Sequence, residues 1–284
     1  MRWWAFLGVG VLALFPLLSR GYPLTLATEI VAWALGATSL AFLFRTTGLV
    51  SLGHAAFFGG GAYAVALLTR PDPGGWLFAL PLSLALGFVA ALALGFLGLR
   101  SHGIFFLMLT LAFSQLVYIL VKQGFPKITG GDDGLPGVPK PPGLGDPVFY
   151  YLTGLLILVL VLLAYHALLN SPLGQILDAL RMNEGRLGVL GYETRSYKLL
   201  AFGLSGALGA LGGAFLAGHR GFVHPHDLVW TTSSLLLVMA VVGGMRSATS
   251  GLWGALILMV LESVLSSYTA FWNLFVGLFL MGSV

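Results

Sequence analysis

The sequence predicts an all-α polytopic membrane protein, a bundle of about 8–10 transmembrane helices with no separate soluble domain. Three observations predict it. Of the 284 residues, 58% are hydrophobic and only 8% charged, against roughly 25% charged in soluble domains. The mean hydropathy is +0.95. Long apolar runs recur from end to end, without the period-two alternation of a membrane barrel. A lipid-facing backbone must satisfy its own hydrogen bonds, so each run is read as a helix, and residues 1–284 form a single transmembrane domain.

The first run, 3–18, follows Arg2 and resembles a secretory signal. The stretch Ser19-Arg20-Gly21-Tyr22 lacks a small-x-small cleavage site, so the run is read as a retained first span. Runs at 23–44, 49–68, 76–99, 104–121 and 148–169 follow, then 199–217, 233–242, 252–264 and 271–284. Those at 233–242 and 252–264 are short for full spans and are separated by Gly243-Gly244-Met245-Arg246, which suits tilted, broken or re-entrant segments.

Sidedness is read from the basic residues. A cytoplasmic N-terminus puts Arg2, Arg45, Arg100, Arg181, Arg186, Arg195, Lys198 and Arg246 inside, and Arg20, Arg70, Lys122, Lys127, Lys140 and Arg220 outside. The bias follows the positive-inside rule, and three of the outer lysines lie in the longest external loop, 122–147, where such charges count less. The stretch 170–198 is then cytoplasmic. It carries Ser171 as N-cap, Pro172 at the first helical position and Gly191 where a left-handed C-terminal residue belongs, which predicts one short helix. Its stripe of Leu173, Leu177, Leu180, Glu184 and Leu187 puts an acid among leucines, so Glu184 requires a partner.

The formal charge of +4 is spread as single residues between apolar runs and makes no nucleic-acid patch. With no cysteine there is no disulfide framework, thiolate metal site or redox pair. No P-loop, HExxH or GxSxG sequence occurs, and no cofactor is expected, so active transport would draw its energy from another subunit.

Glycine numbers 40. Gly203, Gly206, Gly209 and Gly213 share a helix face and read as a packing seam, because close backbone approach replaces the hydrophobic effect between helices in lipid. Gly48, Gly53, Gly59, Gly60 and Gly61, mixed with Ser51, His54 and Tyr63, suit either packing or a broken, pore-lining helix. Glu29 and Glu262 are the acids within apolar runs and should face protein or water. His219, His224 and His226, with Asp227, read as loop residues in preference to a metal site.

Residues 48–58, Gly-Leu-Val-Ser-Leu-Gly-His-Ala-Ala-Phe-Phe, with Gly61-Ala62-Tyr63, resemble the signature of the LivM/LivH permeases of branched-chain amino acid ABC importers. The segments 129–137, Thr-Gly-Gly-Asp-Asp-Gly-Leu-Pro-Gly, and 103–113 are similar to the LivM branch. The loop running through Tyr197-Lys198-Leu199-Leu200-Ala201-Phe202, Gly243-Gly244 and Glu262 fall where the family has comparable features. These matches run in order from about residue 37 to residue 262.

The resemblance implies a channel-forming permease of the inner membrane. It also implies a second related permease, two ABC ATPase subunits beneath, a soluble solute-binding protein outside, and surrounding membrane lipid. The loop 170–198 would carry the coupling helix that enters a cleft on an ATPase, with Glu184, Arg186, Gly191 and Arg181 as coupling residues. Ser51, Gly53, His54, Tyr63, Thr129, Asp133 and Glu262 are candidates for the translocation path. The chain departs from the family where Ala41 replaces Asn and Arg45 replaces Gly. Urea-type permeases of the same family are the neighbouring alternative, and an ion-coupled carrier using Glu29 or Glu262 is a second.

Overall fold

The computed structural model describes residues 21–268, apart from Pro71, His102 and Arg246, together with Gly277. The run predicted at 3–18, and that at 271–284 apart from Gly277, lie outside the described residues. The described chain is nearly all helical: α1 (Tyr22–Thr47), α2 (His54–Thr69), α3 (Trp76–Gly98), α4 (Ile104–Ile119), α5 (Pro126–Thr129) and α6 (Pro147–Leu169) come first. They are followed by α7 (Pro172–Met182), α8 (Glu184–Val189), α9 (Thr194–Arg220), α10 (Trp230–Val242) and α11 (Ser250–Tyr268). A π-helical turn, Leu120–Gly124, extends α4.

Among the described residues, six helices are long and apolar enough to cross a membrane: α1, α3, α4 with its extension, α6, α9 and α11. The chain is a multi-pass membrane protein. Below, inner and outer follow the sidedness predicted from the charges.

At the centre stands α9, about 40 Å long at 1.5 Å per residue. It packs on α1, α2 and α3 through its glycines. Gly206 faces Gly87 of α3, Gly212 faces Ala32 and Gly36 of α1, and Gly213 lies against the Phe58 carbonyl of α2. A Cβ on Gly206 would sit 2.5 Å from the Gly87 carbonyl oxygen. Of the seam predicted from the glycine spacing, Gly206 and Gly213 thus meet backbone, while Gly203 receives Phe88 and Gly209 faces Ser39 and Phe57; Gly212, outside the predicted set, adds a further backbone contact.

The outer ends are tied by a two-residue antiparallel ladder, Leu135–Pro136 with Phe222–Val223, which joins the loop 122–147 to the end of α9. At the inner end, the loop 170–198 folds as two helices in place of the single helix predicted. Asn183 breaks it: its backbone is extended, and its side chain accepts the Arg186 N–H at 3.0 Å, capping α8 as a fresh start. The predicted cap survives, Ser171 accepting the Gly174 N–H at 3.3 Å.

Candidate transport and coupling sites

Two apolar helices, α2 and α10, have only 16 and 13 residues, about 24 and 20 Å, short of a ~30 Å hydrocarbon layer. The chain leaves α1 at Gly48, whose φ of 73° turns it out of the helix. It reaches His54 without helical structure. His54 Nε2 lies 2.7 Å from Ser205 Oγ, which itself donates to the Ser39 carbonyl at 2.6 Å. His54 Nε2 is therefore the donor to Ser205. The nine-position offset from Ser39 to Gly48 places this network about 13 Å along α1 from Gly48.

From the outer side, residues 221–229 dip inward to the same level and start α10. Ser114 Oγ donates to the Leu228 carbonyl at 2.8 Å, and Leu228 lies against Gly59. The two half-length helices begin side by side, with Ser233 of α10 accepting the Ala55 N–H at 2.7 Å. From there α2 runs outward and α10 inward. Discontinuous spans of this kind aim helix N-termini, with their partial positive charge, at the middle of a bundle. The backbone left by the break is satisfied internally: the Leu52 N–H donates to Thr110 Oγ1 at 3.0 Å and the Gly53 N–H to Ser51 Oγ at 3.1 Å. Ser51, Gly53 and His54 are buried within the chain.

At the inner face, the acid in the leucine stripe has its partner. Lys198 Nζ donates to Glu184 Oε2 at 2.5 Å, tying α8 to α9. Leu177, Leu180 and Leu187 are buried on the same side. The opposite side of the loop is apolar and open, with Met182 83%, Val189 88% and Leu190 69% exposed. Arg186 lines a shallow pocket with Met182 and Leu190. Gly191, with φ 87°, ends the loop's second helix.

Residues 22–284 match the family described as the permease component of branched-chain amino acid transport systems. The chain belongs to this family. Its relatives include the high-affinity branched-chain amino acid transport system permease proteins LivM of Escherichia coli (strain K12) and Salmonella typhimurium (strain LT2). Each is 31% identical over 288 residues, covering 92% of this chain and 67% of the relative. The autoinducer 2 import system permease protein LsrC of Yersinia pseudotuberculosis (serotype O:1b) is 29% identical over 167 residues, 55% of this chain and 47% of that protein. No solved structure matches the chain.

In this permease the remaining path candidates lie toward the outer end. Tyr63 is buried in α2, its hydroxyl without a hydrogen-bond partner among the described residues and within electrostatic reach of Asp227. Thr129 is a capping residue, its Oγ1 donating to the Val121 and Phe125 carbonyls at 2.5 and 2.8 Å. Asp133 is exposed in the turn before the short strand Leu135–Pro136, while its neighbour Asp132 pairs with Lys122 at 2.7 Å.

Glu262, on α11, is half-buried and within electrostatic reach of Glu29 and Arg220. Arg220 Nε donates to Glu29 at 2.9 Å, and its Nη1 lies 3.7 Å from Asp227. Arg220 thus gives Glu29 the partner that its burial calls for, while Glu262 feels the arginine only through space. His224 and His226 serve the local backbone, the His226 N–H donating to His224 Nδ1 at 3.0 Å. Among the described residues no group of three or more acids and histidines is placed to hold a metal.

Sequence reasoning missed several residues of both sites. Ser233, Ser205 and Thr110 look like ordinary small polar residues, and only the tertiary fold aims them at the break. The exposed Met182, Val189 and Leu190 did carry a signal, being apolar residues in a loop assigned to water.

Proposed function

We propose that this permease forms half of the channel of an inner-membrane ABC importer for branched-chain amino acids. The second half would come from a related permease, two ATPases would drive the cycle, and a soluble binding protein would deliver solute outside. The observation that carries the reading is the inner loop: a patch of Met182, Val189 and Leu190 faces away from the bundle, while Glu184–Lys198 ties the loop to the central helix. Apolar side chains displayed on short helices suit the groove of a partner protein.

Within this reading Arg186 lies on the ATPase-facing side, Glu184 positions α8 from behind, and Arg181 and Gly191 shape the ends of the segment. The solute crosses the level where α2 and α10 begin. Helix N-termini suit the carboxylate of an amino acid, and Ser51, Gly53 and His54 hold the break that would rearrange between outward- and inward-open states. The closed geometry of this break supports a gate that binding and ATP-driven closure open by differential contact.

The test is uptake of leucine by the complete importer in sealed proteoliposomes. The reading predicts accumulation that requires ATP together with the binding protein. Accumulation without nucleotide under a proton or sodium gradient would contradict it and favour an ion-coupled carrier resting on Glu29 or Glu262. Uptake of urea in preference to leucine would move the chain to the urea-type alternative.

A further inference from the structure

We propose that the Arg45–Asp178 ion pair is the strut through which the inner loop moves the break before α2, so that it sets how much solute this permease moves per ATP. The inference rests on the importer reading above. Arg45 lies in the last turn of α1, and Asp178 lies on α7. The contact is a two-pronged fork, Nη1 to Oδ1 and Nη2 to Oδ2, the latter at 3.3 Å. A fork fixes orientation as well as distance. The pair is only partly exposed, 20% and 38%, and Tyr165 stands within electrostatic reach of both groups while packing edge-on against Phe42 of α1, with ring centroids 5.1 Å apart.

Just beyond it α7 packs on the end of α1, and the Arg181 stem fills the space a side chain on Gly48 would enter, its Cγ 3.4 Å from where a Cβ would stand. Thus α7 grips α1 at its last turn and at the residue where the chain leaves the helix. Only five residues then separate Gly48 from His54, and they carry no helix that would absorb a displacement. The other ion pair of the loop, Glu184–Lys198, ends on α9, which is packed on α1, α2 and α3 and serves as the fixed reference. A push on the loop against α9 is therefore delivered to α1 and the break.

The experiment measures leucine accumulated per ATP hydrolysed by the complete importer, with Arg45→Gln, Asp178→Asn and the double variant, each at matched amounts of assembled complex. A strut predicts that each single variant lowers the ratio by at least about fivefold and that the double variant loses no more than either single. Arg45→Lys, which keeps the charge and loses the fork, should give an intermediate ratio and serves if Arg45→Gln fails to assemble. A wild-type ratio in variants whose only defect is a lower yield of complex would overturn the strut, as would losses that multiply in the double variant. Absence of ATP-driven uptake in the wild-type importer would instead overturn the importer reading itself, and the strut with it.

Discussion

The helices at the centre of this bundle, α1 and α9, are less apolar in composition than α3, α4 and α6 at its edge. In α1 and α9, 83% and 72% of the most apolar stretch is buried, yet these helices carry Thr28, Thr38, Ser39, Ser205 and most of the glycine seam. In α4, built from Phe, Leu, Met and Ile, only 17% is buried. The order reverses that of a soluble protein because lipid is as apolar as leucine, so burying a large side chain gains little against the solvent. What holds the centre is close backbone approach and internal hydrogen bonding. What the edge requires is compatibility with lipid, and Leu86, Phe96 and Phe105 stand exposed there.

The sharpest way to break this comparison is to put bulk into the seam. Gly213→Leu drives a side chain into the Phe58 carbonyl, backbone that has nowhere to move. Loss of nearly all correctly folded permease is expected, read as monodisperse protein after detergent extraction. Next comes the break, where Ser233→Ala strips the Ala55 N–H of its buried acceptor. A cost of about 1–3 kcal/mol is expected, read as a lowered unfolding midpoint in detergent, with Ser233→Thr close to wild type.

Glu184→Arg sets two cations together where Lys198 now has a carboxylate. It should leave the bundle inserted but cut ATP-coupled uptake by about tenfold, and Lys198→Glu in the same chain should restore much of it. Smallest is Leu86→Ala, at a lipid-facing site: a shift in unfolding midpoint within measurement error is expected. A loss as large as that of Ser233→Ala would mean that this edge is buried against another subunit.

The same division explains what was legible in the sequence. Composition and run length give the six long spans, because lipid constrains every lipid-facing residue directly. The glycine seam was legible from spacing alone. The half-length helices were only partly so: the run at 49–68 reads as one span because Leu49, Val50 and Leu52 are apolar, yet the helix begins at His54. Its start is set by Ser51 just before it and by Thr110 and Ser233 from two other helices.

In the inner loop the leucine period runs smoothly through Asn183 and hides the break, although Asn three residues before Arg186 is itself a cap signal. Glu184 announced that it had a partner without naming Lys198. Nothing local announced Asp178 as the partner of Arg45, since 133 positions separate them. Side chains that meet across the bundle belong to the fold as a whole, and a single sequence does not display them.

In the importer proposed above, the segment around α7 and α8 faces the cytoplasm and is covered there by an ATPase. The chain contains no cysteine, so Val189→Cys, at a site 88% exposed, supplies a unique thiol for a membrane-impermeant maleimide. No labelling of sealed, intact cells is expected, with full labelling of inside-out vesicles stripped of the ATPases and protection when the ATPases are restored. Labelling of that thiol from outside intact cells would contradict it.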